Sequence, residues 1–289
     1  MHFNKAFLIA TVCNGGFVVC QIIFGIMANS TSLLADALHN FGDVLGLGVA
    51  WVGNILLQRL PTNYTTYGLK KISILAALTN GLLLVFSCGV IAAEAITKFF
   101  SPTPIHAFAV IIVASVGIII NGATAVLFLR GTNDLNIHAT FLHLFYDALI
   151  SLGVVVAAVL IYWTQWLWLD PLFGLLIALI ILKNIWGLFA HSFYLIIDAV
   201  PKQISWTKVR EALAAQLGVE GIHDLHIWAI STQENALSVH LLVSRANFGD
   251  RERQKLVNML REQHNIHHAT IQIEHDLKYC ADSCSPILY

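Results

Sequence analysis

Two short stretches pose the chemical question. In "LLADALHNFGDVLG" His39 and Asp43 stand four residues apart, and in "HATFLHLFYDALISLG" so do His143 and Asp147. Residues at i and i+4 share one face of a helix, about one turn apart. Both stretches are otherwise apolar enough to lie in a bilayer, where an ionisable side chain costs about 2.5–3.5 kcal/mol on insertion scales. A lone polar residue there is ordinarily a helix-packing group, but that reading does not cover two copies of His-x-x-x-Asp. If the two helices are antiparallel and face each other, imidazole meets carboxylate at both levels. Two nitrogens and two carboxylate oxygens suit tetrahedral Zn²⁺. The two imidazoles disfavour Mg²⁺ and Mn²⁺, which prefer all-oxygen shells. Asp36, seven residues before Asp43, lies on nearly the same face. It reads as polar packing, with a proton relay or an access path as the alternative.

The elements that must hold these residues are membrane spans. The chain has 289 residues, of which 57% are hydrophobic and 11% charged, and its mean hydropathy is +0.72. Soluble domains carry about 25% charged residues, so the composition is that of a membrane protein. Six segments reach the length of about 20 apolar residues that a span needs: 6–28, 32–57, 72–97, 105–129, 137–163 and 171–198. In this arrangement Lys5, Arg59, Lys70, Lys71, Arg130 and Lys202 fall on one side and Lys98 near the other. The positive-inside rule then puts both termini in the cytoplasm, and Trp163, Trp166 and Trp168 form an outer aromatic belt. Asn14, Gln21, Asn40 and Asn121 are expected to hydrogen-bond between helices.

The charge density changes along the chain, with 14 Asp, Glu, Lys and Arg residues in 1–200 and 19 in 201–289. This predicts a six-helix membrane domain over 1–200 and a cytoplasmic domain over 201–289. In the latter, "WTKVREALAAQLG" and "DRERQKLVNMLREQH" have helical spacing, whereas "IHDLHIWAIS", "ALSVHLLVSR" and "ATIQIEHDL" alternate as strands do. The order αββαβ points to a small α+β fold with one sheet and helices on one face. His223 and His226, three apart on a strand, are expected on opposite faces. A net charge of −1 leaves no footprint for nucleic acid. The five cysteines make no disulfide framework. Cys13, Cys20 and Cys88 read as packing residues.

"SLLADALHNFGDVLGLG", "HATFLHLFYDALISLG", "YGLKKISILAAL" and "IHDLHIW" together resemble the cation diffusion facilitator family, most of all its zinc-transporting branch. The resemblance spans essentially the whole chain. It implies an α-helical membrane protein with six transmembrane helices and a ferredoxin-like cytoplasmic domain. It also implies Zn²⁺ export in exchange for H⁺, and a homodimer in a membrane whose lipid is the solvent. The family's transport site falls on His39, Asp43, His143 and Asp147. Its cytoplasmic metal positions match His223, His240 and Glu274, and the tail pair Cys280 and Cys284 matches members that end in two cysteines. His138, His226 and His275 receive no fixed role. Two departures stand out: the loop "RGTNDLNIHAT" is not histidine-rich, and Ser73 replaces a glutamate common in "YGxxKxE". No metal site is expected between spans two and three. A bacterial inner membrane is the expected location. The alternatives are export of Cd²⁺, Co²⁺, Ni²⁺ or Fe²⁺, an intramembrane zinc metalloenzyme, and a metal sensor. The enzyme reading lacks a His-Glu-x-x-His motif, a Gly-x-Ser-x-Gly motif and an extra general base.

Overall fold

A computed structural model of the chain describes residues 2–57, 59–128, 135–244 and 248–275. Six long helices come first: α1 (His2–Met27), α2 (Thr31–Leu57), α3 (Ile72–Phe100), α4 (Ala107–Phe128), α5 (Leu135–Thr164) and α6 (Leu169–Ile196). They match the six predicted segments to within a few residues. Among the described residues, four have windows long and apolar enough to span a bilayer, in α3, α4, α5 and α6. The apolar stretch found in α1, Asn14–Met27, is shorter. The helix α2 carries Asp36, His39 and Asp43 and is not among the four. Then follow α7 (Trp206–Ala214), β1 (Val219–Ala229), β2 (Asn235–Val243), α8 (Asp250–His264) and β3 (His268–Glu274). This is the predicted αββαβ order.

The chain divides into two compact units, one of Met1–Val49 and Thr79–Gly187, the other of Ala50–Leu78 and Leu188–Tyr289. The core of the first unit is built from α1–α6, with Leu33, Val110, Ala114, Val154 and Ile177 among its buried residues. Its tightest polar knot is at the start of α2. A helix begins with backbone N–H groups that have no partner inside the helix. Here the carboxylate of Asp170, from the first turn of α6, supplies the partner. Its Oδ2 accepts from the Thr31 N–H at 2.6 Å. Its Oδ1 accepts from the Ser32 N–H at 3.2 Å and from the Ser30 and Ser32 hydroxyls, each at 2.6 Å. Asp170, Ser30 and Thr31 are all fully buried. Asn29, just before the knot, takes a left-handed φ of 55°, a conformation that asparagine tolerates well. Lys98 Nζ donates to the Asn29 carbonyl at 2.8 Å. Close backbone approach is also required: a Cβ at Gly174 would lie 2.8 Å from Thr31 Cγ2 and 3.0 Å from the Thr31 carbonyl carbon.

In the second unit, one antiparallel pair (β1 with β2) and one parallel pair (β2 with β3) make a three-stranded sheet in the order β1-β2-β3. Leu237, Val239 and Leu241 of β2 pack with Val209 and Leu213 of α7 and Leu256 and Leu260 of α8, so one sheet face is the core. The alternation of the strand leaves Ser238, His240 and Leu242 on the other face.

The α2-start knot generates a prediction. Asp170→Ala leaves several buried donors unsatisfied at about 1–3 kcal/mol each, so the detergent-solubilised protein should melt many degrees lower. Gly174→Ala should do likewise, while Gly187→Ala, with nothing within 4 Å of the added Cβ, should leave the melting temperature unchanged.

Candidate metal centres

The helices α2 and α5 bring all four predicted membrane residues together. His39 Nε2 lies 2.9 Å from Asp147 Oδ1, and His143 Nε2 lies 3.3 Å from Asp43 Oδ2 and 3.8 Å from Asp147 Oδ2. The two imidazole rings stand edge to face, 6.3 Å apart. Histidine therefore meets carboxylate at both levels, as an antiparallel pairing of the two His-x-x-x-Asp motifs demands. Span limits alone put the first pair deeper than the second. The side-chain contacts nonetheless set the two pairs level with each other.

His39, Asp43 and Asp147 each offer a ligand atom, and these atoms lie within 4.8 Å of one another. Metal–ligand distances of about 2.0–2.2 Å in a tetrahedron correspond to ligand atoms about 3.3 Å apart. Side-chain rotation of an ångström or so closes that gap. Asp43 Oδ2 is buried, with the His143 ring nitrogen 3.3 Å away but no well-aligned hydrogen bond among the described residues. A desolvated carboxylate oxygen is costly unless a cation or donor compensates it. Asp147 is 4% exposed in its side chain and Asp43 33%, so the cluster opens on the Asp43 side.

Asp36 is fully buried beyond this cluster. Gln21 Nε2 donates to its Oδ2 at 2.7 Å, and the Ser151 hydroxyl donates to the same oxygen at 3.0 Å. Asn40 Nδ2 donates to Gln21 Oε1 at 2.9 Å. Gln21 and Asn40 thus play the interhelical part expected of them. The side-chain oxygen of Asn14, and both polar side-chain atoms of Asn121, have no such partner among the described residues. Sequence reading missed Ser151. The available signal was its spacing, four residues after Asp147 on the same face.

The second cluster sits on the polar face of the sheet. His223 Nε2 is 2.8 Å from Glu274 Oε2 and His240 Nδ1 is 3.0 Å from Glu274 Oε1, with the two rings 5.0 Å apart. His223, His240 and Glu274 each place a ligand atom within 4.8 Å of the others. The register explains the meeting, since His223 pairs directly with His240, and Glu274 pairs with Leu242 on the same face of the next strand. One expectation is overturned here. His223 pairs with His240 and His226 with Ser238, so three steps on β1 match two on β2. That bulge carries an extra residue and resets the alternation. His223 and His226 therefore share a face rather than opposing each other. At the bulge Asp224 adopts a left-handed φ of 52° and places Oδ1 3.0 Å from His226 Nε2 and Oδ2 3.6 Å from His240 Nε2. Asp224, too, escaped the sequence reading, because the bulge that aims it leaves no composition signal.

His275 Nδ1 lies 3.1 Å from the Val243 carbonyl oxygen. Cys280 and Cys284, and the side chain of His138, lie outside the described residues. Ser73, which stands where the family often has glutamate, accepts from the Thr232 N–H at 3.2 Å and donates to the Lys70 carbonyl at 2.8 Å. Beside it Lys70 pairs with Glu234 at 2.6 Å.

Comparison with known proteins decides the family. Residues 7–197 match the cation efflux transmembrane domain, and residues 201–276 match the cation efflux protein cytoplasmic domain. The chain belongs to the cation efflux family. It is an integral membrane protein with six helices and a C-terminal cytoplasmic domain of the family's type. Similar proteins include a cadmium, cobalt and zinc/H(+)-K(+) antiporter of Bacillus subtilis, 32% identical over 94% of this chain and 89% of that one. Another is the metal cation efflux system protein CzcD of Cupriavidus metallidurans, 32% identical over 94% of this chain and 86% of that one. A third is the zinc transporter ZitB of Pectobacterium atrosepticum, 30% identical over 98% of this chain and 88% of that one.

Electrostatics of the sheet cluster yield a pH prediction. Burial by itself would raise the Glu274 pKa. Hydrogen bonds from His223 and Gln272 and the charges of His223 and His240 outweigh it, so the carboxyl sits below its ordinary value. A lowered carboxylate pKa contributes stability above the ordinary glutamate range and loses it as pH falls through the folded-state value. In the metal-free protein, Glu274→Gln should flatten the acid limb of a melting-temperature profile and leave its neutral limb parallel to wild type.

Proposed function

We propose that this member of the cation efflux family exports divalent metal cations from the cytoplasm by antiport, with Zn²⁺ as principal cargo and H⁺ as counter-ion. It is a secondary transporter, not an enzyme. One observation carries the reading: two histidines and two carboxylates, each costly in a bilayer, converge across α2 and α5, with His39 2.9 Å from Asp147 and His143 3.3 Å from a buried Asp43 oxygen. His39, Asp43, His143 and Asp147 form the transport site. Relatives named as zinc transporter and as cadmium, cobalt and zinc antiporter support divalent cargo.

The chemistry follows from the ligand set. A ligand must shed its proton to bind metal, so metal uptake and proton release are linked at one site. Histidine is the side chain whose ordinary titration range brackets physiological pH. In the inward-facing state the imidazoles and carboxylates close on a cation. After the helices rock, protons compete for the same lone pairs, and the cation leaves on the other side. Alternating access about a site within the bilayer needs no further chemistry. Both termini are cytoplasmic in this scheme and the membrane is a bacterial inner membrane. The membrane domain takes residues 1–200 and the cytoplasmic domain 201–289.

His223, His240 and Glu274 form a second, regulatory zinc site, with Cys280 and Cys284 as further ligands from the tail. Metal there cancels carboxylate charge and favours a homodimer through the cytoplasmic domain.

Two measurements test these readings. In proteoliposomes with an imposed pH gradient, wild type should move Zn²⁺ and Asp43→Ala or Asp147→Ala should abolish flux, while His39→Asp should shift preference towards Cd²⁺ or Mn²⁺. Unchanged flux in both alanine variants would sink the transport site. Separately, the dimer dissociation constant in detergent should tighten with zinc in wild type and not in a His223→Ala, His240→Ala double variant. A zinc-independent constant in wild type removes the regulatory site.

A further inference from the structure

The contact between α2 and α5 has three rungs, and the transport site accounts for two. Asp43 faces His143 at 3.3 Å, His39 faces Asp147 at 2.9 Å, and Asp36 faces Ser151 at 3.0 Å. Along α5 the steps are 143, 147, 151, one turn each; along α2 they run back through 43, 39 and 36. Burial deepens in order. Side chains in the first rung are 33% and 48% exposed, those in the second 11% and 4%, and the residues of the third not at all. A cation in the second rung is about 4.5 Å from the third along α2 and about 6 Å along α5, at 1.5 Å per residue.

The partners of Asp36 set it apart from Asp170, a buried acid whose carboxylate is fixed in part by backbone N–H groups. Asp36 is held by a primary amide, Gln21, and a hydroxyl, Ser151, both neutral. Each can present a hydrogen to an empty carboxylate and, after a bond rotation, an oxygen lone pair to a cation. Gln21 Oε1 is kept in place by Asn40 while the carboxylate is empty. A guanidinium or ammonium could not make that exchange. An intramembrane acid with exchangeable neutral partners is a functional group before it is a structural one.

We propose that Asp36 is a third ligand station for the transported cation, with Gln21 and Ser151 as its supporting oxygens. The proposal rests on the transport reading above and extends it. The cation leaves His39 and Asp147 as the first rung closes behind it, and Asp36 takes it up. Gln21 and Ser151 turn their oxygens inward at that step. A bland alternative is that the third rung merely welds α1, α2 and α5 together.

The isosteric variant Asp36→Asn separates the two. It keeps the shape and hydrogen-bonding capacity of the weld but cannot balance a cation's charge. Three quantities are measured on the full chain: melting temperature in detergent, equilibrium Zn²⁺ affinity, and Zn²⁺ flux in proteoliposomes under a pH gradient. The station predicts unchanged melting, a Zn²⁺ affinity no tighter than wild type, and a flux lower by at least about tenfold, the loss of one charge-assisted contact. Asp36→Glu should recover part of the flux. Flux equal to wild type, or melting falling together with flux, overturns the station. If Asp36→Asn does not fold, Gln21→Met removes the amide oxygen at similar volume, and normal flux there overturns it equally. Wild-type vesicles that move no divalent cation overturn the transport reading and the station together. A defect missing only from the Asp36 and Gln21 variants overturns the station alone.

Discussion

The cost of placing charge in a bilayer organises this protein. His39, Asp43, His143 and Asp147 are tolerable in apolar helices because α2 and α5 turn them onto each other, imidazole against carboxylate. The pairing fixes which faces of the two helices meet, and in an antiparallel pair it admits one register. Shift α5 by a single turn and Asp147 would lie opposite Asp43, carboxylate against carboxylate. Packing around the pair is then secondary. Small residues and aliphatic side chains such as Ala114, Val154 and Ile177 fill what the polar register leaves.

The C-terminal sheet solves a different problem with similar parts. There the apolar face is supplied by strict alternation in β2, and water can reach much of the other side. The bulge at Asp224 collects His223 and His226 on one face and keeps Ile222 and Ile227 in the core. One irregular residue thus converts an ordinary strand into a strip of metal-competent side chains. Its left-handed backbone costs energy that regular strand geometry avoids. Strain of this kind persists where the surrounding sheet imposes it and tends to mark functional positions.

The architecture was largely legible in the sequence. Six apolar segments and the αββαβ order follow from hydropathy and periodicity, and α8 matches its predicted bounds. The four candidate membrane ligands were legible because their spacing repeats, and a repeated pattern of costly residues stands out against an apolar background. Asp224 and Ser151 were not. Their roles depend on a bulge and on the helix pairing, both products of tertiary packing that no local window contains. Asp170 was hidden for the same reason. It reads as a helix-start residue of α6, yet most of its hydrogen bonds go to α2, across a sequence separation of about 140 residues.

That carboxylate also bears on any movement of α2. With the first turn of α2 pinned by Asp170, a tilt of the helix would pivot near Thr31. At 1.5 Å per residue, His39 sits about 12 Å and Asp43 about 18 Å from the hinge. A swing of about 10° then carries His39 sideways by about 2 Å and Asp43 by about 3 Å. Such displacements exceed what metal coordination can absorb, so a modest tilt is enough to undo the grip on a cation while the hinge bonds stay made.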